Sequence, residues 1–228
     1  MDFTAEDIRF VLMALFVLLI SVAVHEFGHA LMAYKLGDDT PKRQGRVTLN
    51  PIAHADPIGT LLLPVLGSLH AAAGGMGGGF GWGKPVQWQP HRIRKGIKMS
   101  TANILVSIAG PSMNILLATI TALVHTILHS QGVIDPSSQV NMVLLFIVKT
   151  NFVLCFFNML PVPPLDGGHV AEAFMPYKHR AKWEQFAKYG PFIILGIMLI
   201  PQIRHVFVWP ANWCTEHVYR FFGLFFAP

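Results

Sequence analysis

The sequence predicts an all-α polytopic membrane protein built as a helical bundle. Apolar residues make up 53% of the chain and charged residues only 13%, and the mean hydropathy is +0.48. A soluble domain carries charge on about a quarter of its residues. Some apolar runs are also long enough to cross a hydrocarbon core of about 30 Å at about 1.5 Å per residue. A lipid-facing surface therefore explains the composition better than a large dry core.

The first apolar run, residues 8–30, is expected to be a retained membrane span. Thr4 can cap the helix, and Glu6 and Asp7 suit the positive end of its dipole. This acidic start and the lack of an A-x-A-like cleavage site argue against a signal peptide. Cleavage would also discard the ionisable residues at the end of the run.

Later runs complete the predicted bundle. Residues 101–128 and 140–160 are predicted spans, whereas 57–73 is apolar but interrupted by prolines and glycine. Prolines oppose a helix around 81–88, so we expect a small extended or β-hairpin element there. Residues 171–228 are expected to supply a short C-terminal span and an aromatic tail at the outer interface.

The charges of the loops orient these spans. Connections 35–55, 74–100 and 161–189 carry four, five and four Lys or Arg residues, and 129–139 carries none. The positive-inside rule places the three basic connections in the cytoplasm, which explains the net positive charge without a nucleic-acid partner. Segment 57–73 lies between two basic connections, so we expect it to re-enter on the same side. Irregular backbone is tolerated there if protein buries it or it lines a wet cavity.

An HExxH motif, His25-Glu26-Phe27-Gly28-His29, ends the first span. The i, i+4 spacing puts both imidazoles on one helical face, where they can bind one Zn²⁺ with Glu26 placed to activate water. Such residues are costly to bury in an apolar span and are functional by default. The alternative is that they pair with one another or extend to the interface.

Asp166 is the candidate third ligand, since a catalytic zinc needs one more protein donor than two histidines. It follows a span that ends on the cytoplasmic side, where the first span also ends. The prolines before Asp166 break the helix, and the glycines after it permit a tight backbone around the carboxylate. The alternative is a plain turn residue. The two cysteines form no CxxC and suggest no cysteine-based site.

At these residues the sequence resembles the site-2 protease family of intramembrane zinc metalloproteases, in its short bacterial form without a PDZ or CBS domain. Residues 25–29 and 158–168 carry the resemblance, and 50–57, 81–86 and 109–114 support it. It implies a three-helix catalytic core and an enzyme that hydrolyses peptide bonds of transmembrane or membrane-associated proteins.

The resemblance also implies the site. His25, His29 and Asp166 would bind one zinc per chain, Glu26 would be the general base, and Asn158 would help hold the substrate backbone. We expect a multi-pass protein of the bacterial inner membrane with its active site towards the cytoplasm. We also expect a single domain over residues 1–228, with the catalytic core at about 8–170.

Other polar residues carry weaker expectations. His54 and Asp56 flank the re-entrant segment and could gate access to the metal, or simply cap a loop. Asn114 could bond freed backbone in its span or contact substrate. Substrate contacts are also expected in the extended element, at Gly81, Trp82 and Lys84.

Three histidines outside the motif are expected to have structural roles. His125 and His129 share a helical face at the far end of their span and are interpreted as interfacial. His70 is interpreted as a satisfied buried histidine.

The sequence leaves three other functions open. A non-catalytic zinc-binding membrane protein would share the ligands, and an activity assay would distinguish it. A soluble-facing zincin would use a downstream glutamate as third ligand. A transporter would show paired inverted repeats, and the sequence has none.

Overall fold

The computed structural model describes residues 4–72 and 81–226, which are mostly helical. The described residues form nine α-helices: α1 (Ala5–Leu36), α2 (Thr40–Arg43), α3 (Pro51–His54), α4 (Leu63–Ala72), α5 (Met99–Ser130), α6 (Gln139–Asn158), α7 (Asp166–Ala173), α8 (Arg180–Leu199) and α9 (Pro201–Phe226). Three of them, α1, α5 and α6, are long and apolar enough to cross a membrane. The C-terminal helices α8 and α9, bent by 84° at their junction, make up to a fourth span if counted together. The predicted all-α membrane fold is confirmed.

Helix α1 contains the whole predicted first span and continues beyond it. The Thr4 hydroxyl accepts a hydrogen bond from the Asp7 N–H at 3.2 Å, and the Asp7 carboxylate accepts one from the Thr4 N–H at 2.9 Å. These reciprocal bonds satisfy two free N–H groups at the helix start. The helix ends at Gly37, whose φ of 113° lies in the left-handed region that glycine adopts readily.

Helix α5 lies at the centre of the bundle and packs along α1 and α6, with further contacts to α7 and α9. Where α5, α6 and α9 meet, the fully buried residues include alanines as well as larger apolar side chains. Small residues at such contacts let helices approach closely in a membrane. The cluster consists of Ala118, Ala122, Val148, Phe152 and Ala211.

The region predicted as a short span plus an interfacial tail forms two helices of 20 and 26 residues, α8 and α9. Tyr219 and Phe222 of the aromatic tail pack against the cluster between α5 and α6. The sequence prediction missed this contact because aromatic residues are enriched at membrane interfaces and also fill gaps beside small residues. Composition alone does not separate these two uses.

Segment 57–72 is helical, with a π-helical turn over Pro57–Leu62 that leads into α4. At about 1.5 Å per residue its sixteen residues extend about 24 Å, less than a hydrocarbon core of about 30 Å. Pro57 is the first helical residue, where a missing N–H costs nothing. The side chain of His70 and the glycine run 74–80 lie outside the described residues.

Residues 81–89 follow a path without regular secondary structure, so the hairpin form of the expected element is absent from the described chain. Trp82 N–H donates to the carbonyl of Gly59 at 3.1 Å, and Lys84 N–H donates to the carbonyl of His54 at 2.8 Å. These are single bonds, one to the start of the 57–72 helix and one to the end of α3. Pro85 has no N–H, which prevents a continuous ladder.

Candidate metal centre

The last turns of α1 bring two imidazoles together. His25 and His29 lie one helical turn apart and are both buried, and their Nε2 atoms are 3.0 Å apart. The i, i+4 spacing predicted this shared face.

Asp166 reaches the two imidazoles from the first residue of α7. Its Oδ2 lies 3.1 Å from His25 Nε2, and its Oδ1 lies 3.3 Å from His29 Nε2. Gly167 and Gly168 allow this approach, because a Cβ at either position would collide with the backbone of the turn that follows α6. The structure therefore brings together the three residues expected to bind metal, with all their ligand atoms within 4.8 Å of one another.

The outer nitrogens of both rings face hydrogen-bond acceptors. His25 Nδ1 lies 2.6 Å from Asn114 Oδ1, and His29 Nδ1 lies 2.7 Å from the carbonyl oxygen of Val106. Each Nδ1 therefore carries the proton, which leaves each Nε2 with a bare lone pair. Acceptors at the outer ring nitrogen orient metal-bound histidines in this way.

Zinc fits this donor set. Two bare imidazole nitrogens and a carboxylate meet in a buried space, and Asp166 Oδ2 has no hydrogen-bond partner there. Three converging acceptors need a cation between or beside them. Tetrahedral zinc with bonds of about 2.0–2.2 Å places neighbouring ligand atoms about 3.4 Å apart, close to the 3.0, 3.1 and 3.3 Å separations in this group.

Gly110 of α5 lies directly against the two imidazoles, a contact that sequence reasoning missed. A Cβ at this position would lie 2.6 Å from His29 Cε1 and 2.8 Å from His25 Cε1. In the sequence analysis Gly110 entered only as part of residues 109–114, which support the family resemblance. The signal available in the sequence was a glycine inside an apolar helix, which indicates close approach of another group.

Glu26 is buried beside the candidate ligands and contacts the irregular segment. Its Oε2 accepts a hydrogen bond from the Val86 N–H at 3.2 Å. Gly83 is buried against the same side chain, and a Cβ there would lie 3.2 Å from Glu26 Cγ and 2.6 Å from Val22 Cγ1. Segment 81–89 therefore covers Glu26 on one side.

Three residues of this segment, Gly81, Trp82 and Lys84, are expected to contact substrate. Gly81 is half-buried, whereas Trp82 and Lys84 are exposed. The carbonyl of Trp82 accepts from Thr60 Oγ1 at 2.7 Å, which ties the segment to the helix that begins at Pro57.

Asp38 ties the far end of the same segment to the loop that follows α1. Its carboxylate accepts from the Thr40 N–H at 2.9 Å and from the Gln89 N–H. Burial raises the pKa of Asp38, but these hydrogen bonds and the nearby Arg92 outweigh it, so the pKa lies below its usual value near 3.8. Ionised Asp38 therefore helps to hold segment 81–89 beside Glu26.

His54 and Asp56 lie outside the three-residue group. His54 is buried, and its Nε2 lies 2.8 Å from the carbonyl oxygen of Thr48. Asp56 Oδ1 accepts from the N–H groups of Ile58 at 3.0 Å and Gly59 at 2.7 Å. The structure favours the capping alternative for Asp56 and shows a loop contact for His54.

Asn158, expected to hold the substrate backbone, is the last residue of α6. Its Nδ2 donates to the carbonyl of Leu154 at 2.9 Å within the same helix, and the side chain is half-buried. The structure does not place it in the three-residue group.

Asn114 contacts polar groups of neighbouring helices, a role that the sequence analysis did not include, and its expected contact with substrate stays a prediction. It is fully buried, and its amide connects His25 to Ser21 and Asn151. Sequence reasoning missed Ser21 and Asn151, although polar residues inside apolar spans were the available signal.

His125 is buried within the bundle, near the end of α5. Its Nδ1 lies 2.8 Å from the Tyr219 hydroxyl, and its Nε2 lies 2.8 Å from Asn141 Oδ1. Helix α9 supplies Tyr219, and the sequence analysis missed this contact because it missed the packing of that helix. His129 is exposed, as expected.

The fold and this centre define an integral membrane protein with a buried His-His-Asp group and an adjacent glutamate. Residues 127–201, which include Asp166, match the family model for Peptidase family M50. The chain is 37% identical over 215 residues to "Putative zinc metalloprotease YwhC" of Bacillus subtilis, covering 92% of this chain and 91% of that protein.

Two mycobacterial relatives also carry the name of a zinc metalloprotease. "Putative zinc metalloprotease Rip2" of Mycolicibacterium smegmatis is 31% identical over 90% of this chain and 70% of its own length. Rip2 of Mycobacterium tuberculosis is 27% identical over 87% of this chain and 71% of its own length. No solved structure matches the chain. The chain belongs to peptidase family M50, the site-2 protease family of membrane metalloproteases.

Proposed function

We propose that this protein is an intramembrane zinc endopeptidase that hydrolyses peptide bonds of transmembrane or membrane-associated proteins. The convergence of His25, His29 and Asp166, with both Nε2 lone pairs bare, is the observation that carries the proposal. These three residues would hold one zinc per chain. When bound, zinc supplies Lewis-acid polarisation of the scissile carbonyl and of the attacking water.

Glu26 is the proposed general base. The Val86 N–H bonds its Oε2, so Oε1 is the oxygen that takes the proton of the attacking water. The carboxylic acid then returns this proton to the departing amine nitrogen. Burial of Glu26 keeps bulk water from competing for the proton.

Substrate binding is proposed along segment 81–89. A substrate helix bonds its own amides, so it must unwind before its carbonyl can be attacked. An unwound substrate strand can pair with an extended segment and would contact Gly81, Trp82 and Lys84. Asn158 is proposed to contact the same strand after movement of its side chain from the Leu154 carbonyl.

The proposed location follows from loop charge and from the relatives, all of which are bacterial proteins. The basic connections would face the cytoplasm, with the active site towards that side of the inner membrane. One catalytic domain would extend over residues 1–228. His54 and Asp56 are then proposed to anchor the entrance to the site through segment 57–72.

The proposal is tested by reconstituting the purified protein into vesicles with a panel of single-span substrates. Wild type should cleave at least one substrate, and a chelator should abolish the cleavage until zinc is restored. Glu26→Gln keeps the shape but cannot accept the proton, so it should bind zinc and not cleave. Cleavage by Glu26→Gln at the wild-type rate would contradict the mechanism. Zinc binding by wild type with no cleavage of any substrate would favour a non-catalytic zinc protein.

A further inference from the structure

A chain of buried hydrogen bonds connects His25 to three helices of the bundle. It contains Ser21 of α1, Asn114 of α5 and Asn151 of α6, all essentially inaccessible to solvent. Buried polar groups at membrane depth are costly, so a network of this kind needs every donor matched to an acceptor.

The donor and the acceptor of each bond can be assigned from two backbone carbonyls, those of Val17 and Ile147, because a carbonyl only accepts. Ser21 Oγ donates to the carbonyl of Val17 at 2.7 Å, so its lone pairs face Asn151. Asn151 Nδ2 donates to Ser21 Oγ at 2.9 Å and to the carbonyl of Ile147 at 2.9 Å. The amide of Asn151 therefore turns its oxygen away from α1 and towards α5.

The same reasoning extends to His25. Asn151 Oδ1 accepts from Asn114 Nδ2 at 2.8 Å, and that nitrogen also donates to the carbonyl of Ser21 at 3.2 Å. Asn114 must then present Oδ1 to His25, at 2.6 Å from Nδ1. An acceptor at this position requires a proton on Nδ1.

We infer that Asn151 is a positioning residue that sets the tautomer of His25 through Asn114 and thereby tunes the affinity of the centre for zinc. This inference rests on the proposed zinc site but adds a residue on a helix that supplies no ligand. Without Asn151 Oδ1, Asn114 loses one of the two acceptors that orient its amide. A flipped amide would present N–H to His25 Nδ1, and the ring would then turn an N–H towards the metal.

The test compares Asn151→Leu with a matched control, Asn141→Leu. Asn141 is also an asparagine of α6 bonded to a histidine of α5, but at the other end of both helices, through His125 Nε2 at 2.8 Å. Competition with a chelator in detergent should show zinc binding by Asn151→Leu weakened about 10–100-fold, the range for loss of groups that orient a metal ligand. Asn141→Leu should bind zinc as wild type does.

The variant Asn151→Asp distinguishes loss of the Asn114 amide orientation from a general loss of stability. Aspartate keeps an oxygen facing Asn114 in either protonation state, although it introduces an acidic group at a buried position. It should therefore bind zinc more tightly than Asn151→Leu. Equal zinc affinity of Asn151→Leu and wild type, or weaker binding by Asn151→Asp than by Asn151→Leu, would overturn the inference.

A spectroscopic measurement on folded protein works without zinc. Nitrogen-15 NMR of histidine-labelled, metal-free wild type should show His25 with a protonated Nδ1. Asn151→Leu should shift part of the population to a bare Nδ1, and Asn141→Leu should not. A bare Nδ1 in wild type would overturn the inference even if zinc binding confirmed the proposed function. Absence of zinc binding in wild type with the expected spectra would contradict the proposed function and the effect on zinc affinity, and would leave only the effect of Asn151 on the His25 tautomer.

Discussion

Replacement of Gly110 by alanine should damage the metal centre while leaving the bundle folded. The added Cβ would lie 2.6 Å from His29 Cε1 and 2.8 Å from His25 Cε1, whereas non-bonded carbons rest at about 3.5–4.0 Å. The rings must therefore move by about 1 Å. They cannot rotate away freely, because α5 itself holds both Nδ1 atoms through Asn114 and Val106.

The expected loss of zinc affinity follows from the narrow range of metal–ligand distances that metal sites allow. Metal–ligand distances are kept within about 0.2 Å of their preferred values, and a misplacement of about 1 Å costs about 100-fold in activity. We expect Gly110→Ala to weaken zinc binding by about 100-fold, or about 2.8 kcal/mol. Helix propensity alone would favour alanine over glycine by about 1 kcal/mol, so it cannot cause the loss.

Chelator competition on detergent-purified protein measures this effect, with Gly196→Ala as the control. Gly196 lies inside α8, and a Cβ there meets nothing within 4 Å. That variant should bind zinc as wild type does and gain up to about 1 kcal/mol of stability. Wild-type zinc affinity in Gly110→Ala would refute the packing of α5 on the two imidazoles.

Three further predictions concern the surroundings of the site. Ionised Asp38 stabilises the fold above its usual pKa near 3.8, and this contribution is lost as pH falls through its lowered folded-state pKa. The gap in melting temperature between wild type and Asp38→Asn should therefore close below about pH 4; a constant gap would contradict this. In a cysteine-free background, cysteines at positions 42 and 92 should be labelled only from the cytoplasm, and one at position 137 only from outside. Labelling of position 92 from outside would make segment 57–72 a full span. Gly83→Ala should slow cleavage without loss of zinc, because its Cβ crowds Glu26; zinc loss would point to a wider disturbance.

The membrane spans and the His25-His29-Asp166 group could be predicted because they depend on local sequence or on summed hydropathy and charge. Hydropathy over 8–30, 101–128 and 140–160 matched α1, α5 and α6. Loop charge alone placed His29 and Asp166 on the same side of the membrane, and the structure brings them into contact.

The sequence could not predict which polar groups meet across helices. Asn114 and Asn151 are separated by 37 positions, and their pairing depends on the rotation of α5 and α6 about their axes. The contact of His125 with Tyr219 could not be predicted for the same reason, since the two residues are 94 positions apart. The irregular path of 81–89 depends on single bonds to residues 54–59, which leave no periodic pattern in the sequence.

The central claim is that His25, His29 and Asp166 bind one catalytic zinc. Metal analysis of protein purified without a histidine tag tests it most directly. Wild type and Glu26→Gln should each carry close to one zinc per chain, and Asp166→Ala should carry almost none, because it removes one of only three protein ligands. Full zinc retention by Asp166→Ala would contradict the account.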